Sequence, residues 1–373
     1  MRIVRLANFV TASSGGLRTA LRELGAGYER AGNEAVLIHP GERYTETREE
    51  QGLVITLPGP EVPRMGGYRM LLDRRRVADT VRGLRPDRLE VSDRTSLRWV
   101  GRWARRHGVP STMVSHESLD GLLRLFGGSN ARWVADRLNA RSAADFDRIV
   151  ATTGWAAAEF ERIGVRDVAR VPLGVDLELF SPERRDPRLR HRWAAPGDAL
   201  LVHCGRLSPE KRPSLSLDAL AALRSHGVPA VLVVAGGGPL RPTLQAEAAE
   251  RRLPVRFLGH LRGRAELATL LASADVALAP GPVETFGLAA LEALAAGTPV
   301  VANAAGALPE VLGGAGLSAL DGPSFGLAAR ILLERPGRRA VARARARQFP
   351  WSASVDGFLA AMGADRAGAS PRT

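Results

Sequence analysis

Glu284-Thr285-Phe286-Gly287-Leu288-Ala289-Ala290-Leu291-Glu292 follows a short apolar run, residues 275–281 (DVALAPG), and leads through Ala293 to Gly297 into Thr298-Pro299-Val300-Val301. Strand, glycine-bearing loop, alanine- and leucine-rich helix, glycine stop and strand make one βαβ unit of a parallel sheet. Glu284 then stands just before a helix N-terminus, with Glu292 about 12 Å further along at about 1.5 Å per residue. That separation is too long for an acid and a base acting on one bond. It suits two grips on an elongated ligand, with free helix N–H groups between them facing an anion.

The same alternation extends both ways. Towards the carboxyl half's start it reads ALLVHCG (199–205), a helix at 213–227, PAVLVVAGGG (229–238), a helix, VRFLGH (255–260) and a further helix. In the amino half, MRIVRLANF, NEAVLIHPG, RLEVSD, STMVSH and DRIVATT read as buried strands, and SGGLRTALRELGAGYERAG as a loop and amphipathic helix. Between the halves, SPERRDPRLRHRWAAPGD is proline-rich, charged and aperiodic, as a linker would be. The expected organisation is a first doubly wound α/β domain at 1–172, a linker at 173–197 and a second domain at 198–345. A final segment at 346–373 carries a Trp351-bearing helix, which crosses back to the first domain, and a frayed tail.

Composition bounds the function. The chain has 373 residues, 45% hydrophobic and 24% charged, enough for two cores and incompatible with a disordered chain. No run approaches the roughly 18 apolar residues of a membrane span, and the amino terminus reads as a strand rather than a secretory leader. Cys204 is the one cysteine, so neither an internal disulfide nor a cysteine zinc cluster is expected. A cytoplasmic protein is expected. The 52 basic against 39 acidic residues give +13, and Lys211 is the one lysine among them. A GC-rich genome accounts for the arginine bias, but a lone lysine then marks a place that needs a compact ammonium rather than a planar fork. The excess charge points to anionic partners: phosphates, an acidic membrane surface or nucleic acid.

Several loops could hold a phosphate. Ser13-Ser14-Gly15-Gly16 joins the first strand to a helix whose N-terminal N–H groups suit an anion, and it lacks the G-x-G-x-x-G of a dinucleotide site. Gly236-Gly237-Gly238 is either a ligand loop or a plain strand-to-helix turn. Gly205-Arg206-Leu207-Ser208-Pro209-Glu210-Lys211 places two cations five residues apart on a loop at the carboxyl end of a strand, where open α/β sheets bind ligands. His116 ends a buried strand and is either structural or turned to a ligand. Asp145-Phe146-Asp147 spells a metal-binding Asp-x-Asp, but it ends a helical stretch, where residues two apart do not share a face. No metal is expected. The stretch from Gly67 to Arg82, with Arg69, Leu71, Leu72, Arg74, Arg75 and Arg76, is either a surface for an anionic leaflet or an ordinary arginine-rich helix. Leu122, Leu123, Leu125 and Phe126 could line an apolar ligand groove or belong to the core.

Together these motifs resemble the family-4 retaining glycosyltransferases of the GT-B architecture. Glu284 to Val301 is similar to their E-x7-E signature, and Gly205 to Lys211 to their diphosphate loop. The Gly-Gly turn, His116, the PLGVD segment and the tryptophan-bearing last helix fall in the family's order. More narrowly, SGGLRTA, GGYR, LEVSDR, VSHE, RVPLGVDL and HCGRLSPEK resemble a subgroup that is GDP-mannose-dependent and acts on phosphatidylinositol mannosides in actinobacteria.

The resemblance implies two Rossmann-like domains facing across a cleft, and it assigns roles. Arg206 and Lys211 would bind the donor diphosphate and stabilise the departing phosphate, with Gly205 and Gly16 letting backbone approach it. Glu284 would hold sugar hydroxyls beside the amides of Phe286, Gly287 and Leu288, and Glu292 the ribose. His116 would contact the sugar near its reacting face, and the base would lie near His260 and Leu261. Arg69, Arg74, Arg75 and Arg76 would face the membrane or acceptor. The implied reaction moves mannose from GDP-mannose to a glycolipid with retention and without a metal, on a protein peripheral to the inner face of the cell membrane. A UDP-sugar donor with another acceptor is the alternative. A sugar-nucleotide epimerase would need carboxylates and histidines placed for proton abstraction, and a pyridoxal-dependent phosphorylase a lysine in another context. A nucleic-acid-binding protein would show an interleaved basic and aromatic stripe, which the 5% aromatic content does not supply.

Overall fold

The computed structural model describes residues 1–10, 15–62, 67–116, 118–125, 131–261 and 263–363. Two compact units emerge: Met1–Gly174 together with the last helix from Trp351, and Val175–Pro350.

The first unit runs β1 (Arg2–Leu6), α1 (Gly16–Arg30), β2 (Glu34–Gly41), β3 (Thr45–Glu49), β4 (Gly52–Pro58), α2 (Arg74–Leu84), β5 (Arg88–Val91), α3 (Trp99–Arg106), β6 (Ser111–Ser115), α4 (Leu119–Leu125), α5 (Ala131–Asp145), β7 (Arg148–Ala151), α6 (Gly154–Glu161) and β8 (Val168–Arg170). Its sheet has the order β3-β4-β2-β1-β5-β6-β7-β8, parallel except where β3 pairs antiparallel with β4. Central strands such as β1 and β6 are buried along almost their whole length because helices cover both faces.

The second unit runs α7 (Pro187–His191), β9 (Ala199–Cys204), α8 (Ser214–Ser225), β10 (Ala230–Ala235), α9 (Arg241–Glu250), β11 (Val255–Gly259), α10 (Arg264–Ser273), β12 (Val276–Ala279), α11 (Leu288–Ala295), β13 (Val300–Asn303), α12 (Leu308–Leu312), β14 (Gly316–Ala319), α13 (Gly322–Glu334) and α14 (Arg338–Ala346). All its strands are parallel, in the order β11-β10-β9-β12-β13-β14. The chain winds outward one way through β9, β10 and β11, then returns to β12 on the other side of β9. That reversal opens a crevice beyond the carboxyl ends of β9 and β12. Leu201, Leu220, Leu232, Phe325 and Leu332 lie in the core beneath.

The boundaries differ from expectation at the seam. Residues 175–197, whose charge and prolines read as a linker, pack into the second unit. Asp186 N donates to Ser273 Oγ (3.0 Å), Arg190 pairs with Asp275 (2.8 Å), and Arg343 donates to the carbonyls of Phe180 and Leu177. Some of the polar residues that made the stretch look solvated have structural uses, Ser181 and Asp186 as caps and Arg190 as an ion-pair partner. The second unit also extends past 345, where Val175 N donates to Phe349 O. The last helix, α15 (Trp351–Ala361), completes the first unit, with Val355 and Phe358 buried and Arg88 Nε donating to Met362 O (2.9 Å).

Candidate functional site

The two most informative sequence motifs meet at the crevice of the second unit. The loop leaving β9 turns through Gly205 and Arg206 into a single 3-10 turn, Pro209–Lys211. The loop leaving β12 carries Glu284. Lys211 Nζ donates to Glu284 Oε1 at 2.5 Å, and both side chains are about a quarter exposed. Arg206 Nη2 donates to Glu210 Oε1 (3.1 Å), which also takes the Ser208 hydroxyl. Glu210 therefore orients one of the two expected phosphate ligands, a role the sequence reading did not give it.

The glycine turn at 236–238 has a structural use. Gly236 has φ +150°, and a Cβ there would lie 1.9 Å from Gly205 O. Gly205 N donates to Ala235 O and Leu207 N to Gly237 O, so this turn is the bed on which the cationic loop lies.

Helix α11 starts at Leu288, four residues beyond Glu284, so less of the E-x7-E span is helical than expected and the rise of about 12 Å does not apply. The intervening backbone bends at Gly287, in the left-handed region at φ +82°, where a Cβ would come within 2.3 Å of the Leu308 side chain. No side chain caps α11, and Phe286 is buried. The loop is held from below, with Ala307 N donating to Glu284 O and Asn303 Nδ2 to Pro280 O.

Glu292, one turn into α11, is 8% exposed, and Arg264 at the start of α10 donates to its Oε1 (3.2 Å) while lying over the Phe180 ring. Sequence reading missed Arg264, 28 residues away. The Cys204 thiol is pushed up first by burial and then by the Glu292 carboxylate, which places Glu292 near the end of β9. His260 is exposed and Leu261 half-buried just past β11 at the sheet edge.

In the first unit, Gly16 is the first residue of α1 and exposed, and α1 has no side-chain cap. Ser13 and Ser14 lie outside the described residues. His116 follows β6, and burial of its ring lowers its pKa to about 4, so it is neutral. The segment after it is tied down by Glu159, which accepts from Ser118 Oγ and from the backbone N–H of Leu119 and Asp120. Arg94 pairs with the same carboxylate at 3.3 Å, both side chains buried.

Arg69 is held inside its own loop, donating to Gly59 O (2.8 Å) and lying near Glu42 and Glu61. Arg74, Arg75 and Arg76 open α2 on the surface beside exposed Leu72, whereas Leu71 is core. Leu123 is half-buried, and the side chains of Leu122, Leu125 and Phe126 lie outside those described. Asp145 faces Arg98 and Arg102, and Asp147 accepts from Ser111 N and Oγ, so each aspartate is otherwise engaged. Among the described residues no group of three His, Cys, Asp or Glu could hold a metal, and no helix is long and apolar enough to cross a membrane.

Comparison with known proteins supplies the family. Residues 15–176 match the glycosyl transferase 4-like domain and residues 187–319 the glycosyl transferases group 1 model. A GDP-mannose-dependent alpha-(1-6)-phosphatidylinositol dimannoside mannosyltransferase of Mycobacterium tuberculosis is 50% identical over 98% of this chain and 96% of its own. A GDP-mannose-dependent alpha-mannosyltransferase of Mycolicibacterium smegmatis is 31% identical over 82% of this chain and 80% of its own. Among solved structures, Anabaena HepE with UDP and glucose aligns with TM-score 0.74 at 18% identity, covering 96% of this chain and 98% of that one. Sucrose-phosphate synthase from Thermosynechococcus elongatus aligns with TM-score 0.73 at 19% identity, covering 96% and 97%. These two likenesses bear on the fold alone. By its matched domains and its nearly full-length relative, the chain belongs to the GT-B glycosyltransferases of the group 1 and 4-like families and is a glycosyltransferase.

Proposed function

We propose that this glycosyltransferase moves mannose from GDP-mannose to a phosphatidylinositol mannoside, with retention at the anomeric carbon, without a metal, and at an acidic membrane surface on the inner face. The observation that carries the reading is the 50% identity along almost the whole chain to a relative whose name states that donor and that acceptor class.

The site supplies a rationale. The donor's C1–O bond breaks, and the electron pair stays with the β-phosphate oxygen of the departing diphosphate. An acceptor hydroxyl forms the new C1–O bond on the same face, and its proton passes to that phosphate oxygen. Charge grows on the diphosphate, and Arg206 and Lys211 meet it with cations fixed in a partly desolvated loop, the role a divalent ion plays elsewhere. The Lys211–Glu284 pair fits this use. A diphosphate draws the ammonium towards itself, and the carboxylate is then free to accept from sugar hydroxyls beside the start of α11.

The test is nucleotide release by the purified protein from GDP-mannose, UDP-glucose and UDP-N-acetylglucosamine, with EDTA present and phosphatidylinositol mannosides supplied. Release from GDP-mannose that rises with the lipid is expected. A preference for a UDP-sugar would replace the donor and leave the fold and cationic loop in place; a requirement for added metal would end the cation-only mechanism.

A further inference from the structure

His203 is a buried polar residue where the fold alone calls for an apolar one. It is the fifth residue of β9 (ALLVHC) and is 3% exposed, on a strand whose other residues up to that point are all buried and apolar. Its Nδ1 lies 3.0 Å from Ser216 Oγ on α8. Its Nε2 is sealed from solvent and has no hydrogen-bond partner among the described residues. Outside Gly205 and its two chain neighbours, Nε2 is also the nearest heavy atom to the place a side chain on Gly205 would start, 3.7 Å away. The ring thus reaches beneath the first residue of the cationic loop. Lys211 and Glu284 are the charged groups that act on it, in opposite senses, and burial keeps it neutral with a pKa of about 4.

Ser216 is 1% exposed, and among the described residues His203 is the partner of its hydroxyl. A hydroxyl both donates and accepts, so Ser216 can take Nδ1–H or donate to Nδ1, and either way the ring atom left without a partner is Nε2. With the serine donating, Nε2 carries the hydrogen, and an anion, which only accepts, selects that arrangement. An unmet buried polar atom in a native fold calls for a use. This one lies by the turn that carries Arg206 and Lys211, and Gly205 is itself exposed and has no side chain to stand in between.

We propose that His203 is a donor-binding residue: its Nε2–H, oriented by Ser216, hydrogen-bonds an oxygen of the nucleotide's diphosphate from beneath Gly205. The inference rests on the reading of this loop as a diphosphate site. A neutral imidazole adds a directed hydrogen bond without another charge. It complements Arg206 and Lys211, which attract the anion from any angle.

The experiment is calorimetric binding of GDP and GMP to the full chain, with UDP and UMP as a parallel pair, for wild type, His203→Leu, His203→Gln and Ser216→Ala. For His203→Leu, diphosphate binding is expected to weaken about tenfold or more, the usual scale for a hydrogen bond to a charged acceptor, with monophosphate binding within about threefold. Glutamine keeps an N–H near the Nε2 position, and His203→Gln is expected to restore most of the affinity. Should His203→Leu fail to fold, Ser216→Ala carries the test: it removes the hydroxyl that holds Nδ1 and orients the ring, so a selective loss for the diphosphate is again expected. Equal weakening of mono- and diphosphate, or no weakening, overturns the role of His203 while the donor reading stands. Wild type that binds UDP in place of GDP overturns the guanine donor and leaves His203 to be judged on the UDP and UMP pair. Wild type that binds neither diphosphate overturns both.

Discussion

Lys211 Nζ and Glu284 Oε1, 73 positions apart in sequence, form an ion pair that links the loop leaving β9 to the loop leaving β12. The two strands are neighbours, joined where the winding of the sheet reverses, so their loops rise side by side. A partly exposed pair of this kind contributes only about 0–1 kcal/mol to stability. Its value lies in what each partner does once an anionic ligand competes for the ammonium.

Lys211→Ala should therefore cost turnover and spare the fold. Removing one preorganised donor to a developing anion typically costs about 10²- to 10³-fold in kcat. The thermal midpoint should move by no more than about 2–4 °C. Lys211→Arg should recover little, because a planar guanidinium cannot take the place of a compact ammonium against Glu284. Nucleotide release from GDP-mannose and a melting curve on the same preparations decide it; near-normal turnover in the alanine variant would remove this lysine from the mechanism.

Glu292 is nearly buried and its carboxylate is held in place by Arg264; the proposed grip on the ribose makes a direct prediction. GDP should bind about tenfold tighter than its 2′,3′-dideoxy analogue in the wild type, and the two should bind alike in Glu292→Gln. Arg264→Gln should produce part of the same loss, and the double variant less than the sum of the two, because both act on one carboxylate. An unchanged preference for the hydroxylated nucleotide in Glu292→Gln would show that the ribose is held elsewhere.

What was legible in the sequence was local in origin. The cationic loop and the Glu284 segment each declare themselves by a strand, a glycine and a helix in immediate succession, and each lies at a strand's carboxyl end as read. Partnerships across the fold were not legible. Glu210 reads as a plain turn residue until Arg206 and Ser208 fold onto it, and Arg264 meets Glu292 only when α10 and α11 pack. Strand β3, Thr-Glu-Thr-Arg-Glu, is exposed and charged, and its antiparallel place at the sheet edge follows from pairing with β4 rather than from any apolar pattern. His203 was hidden for the opposite reason: one polar letter in an apolar strand gives no hint of where its second nitrogen points.

The same histidine sets a pH dependence. Its pKa is about 4 in the folded protein against about 6.5 unfolded, so between these values the unfolded chain binds the extra proton. Stability is then fully present above about pH 6.5 and falls as the pH drops towards 4, with a slope of up to about 1.4 kcal/mol per pH unit from this group. His116, also near 4, acts in the same direction, while buried Glu90, raised by desolvation, acts against it. Comparing wild type with His203→Gln isolates the term. Urea midpoints at pH 7.5, 6.5, 5.5 and 4.5 should fall more steeply for wild type, and parallel curves would mean that the ring is not buried as a neutral base.

Three arginines begin α2, at its first three positions, with no acidic residue in that turn. Cations there oppose the helix dipole, at about 0.3–1 kcal/mol each. Asp73, whose Oδ1 accepts from Arg76 N at 3.0 Å, caps the helix and offsets part of this. Arg75 is 95% exposed and Leu72 is 54% exposed beside it, so the turn presents charge and an apolar side chain outward at some expense to the helix. The acidic-leaflet contact proposed above predicts a return of about 1 kcal/mol per arginine near the surface. Replacing Arg74, Arg75 and Arg76 with glutamine should raise the stability of the protein slightly, by up to about 1 kcal/mol. The same change should weaken flotation with phosphatidylinositol-rich vesicles about tenfold to hundredfold at low salt, and leave the negligible binding to phosphatidylcholine unchanged. Nucleotide release from GDP-mannose with a detergent-solubilised acceptor should stay close to wild type. Unaltered flotation would mean that the arginines are a solvated helix end and that the lipid is met by another surface.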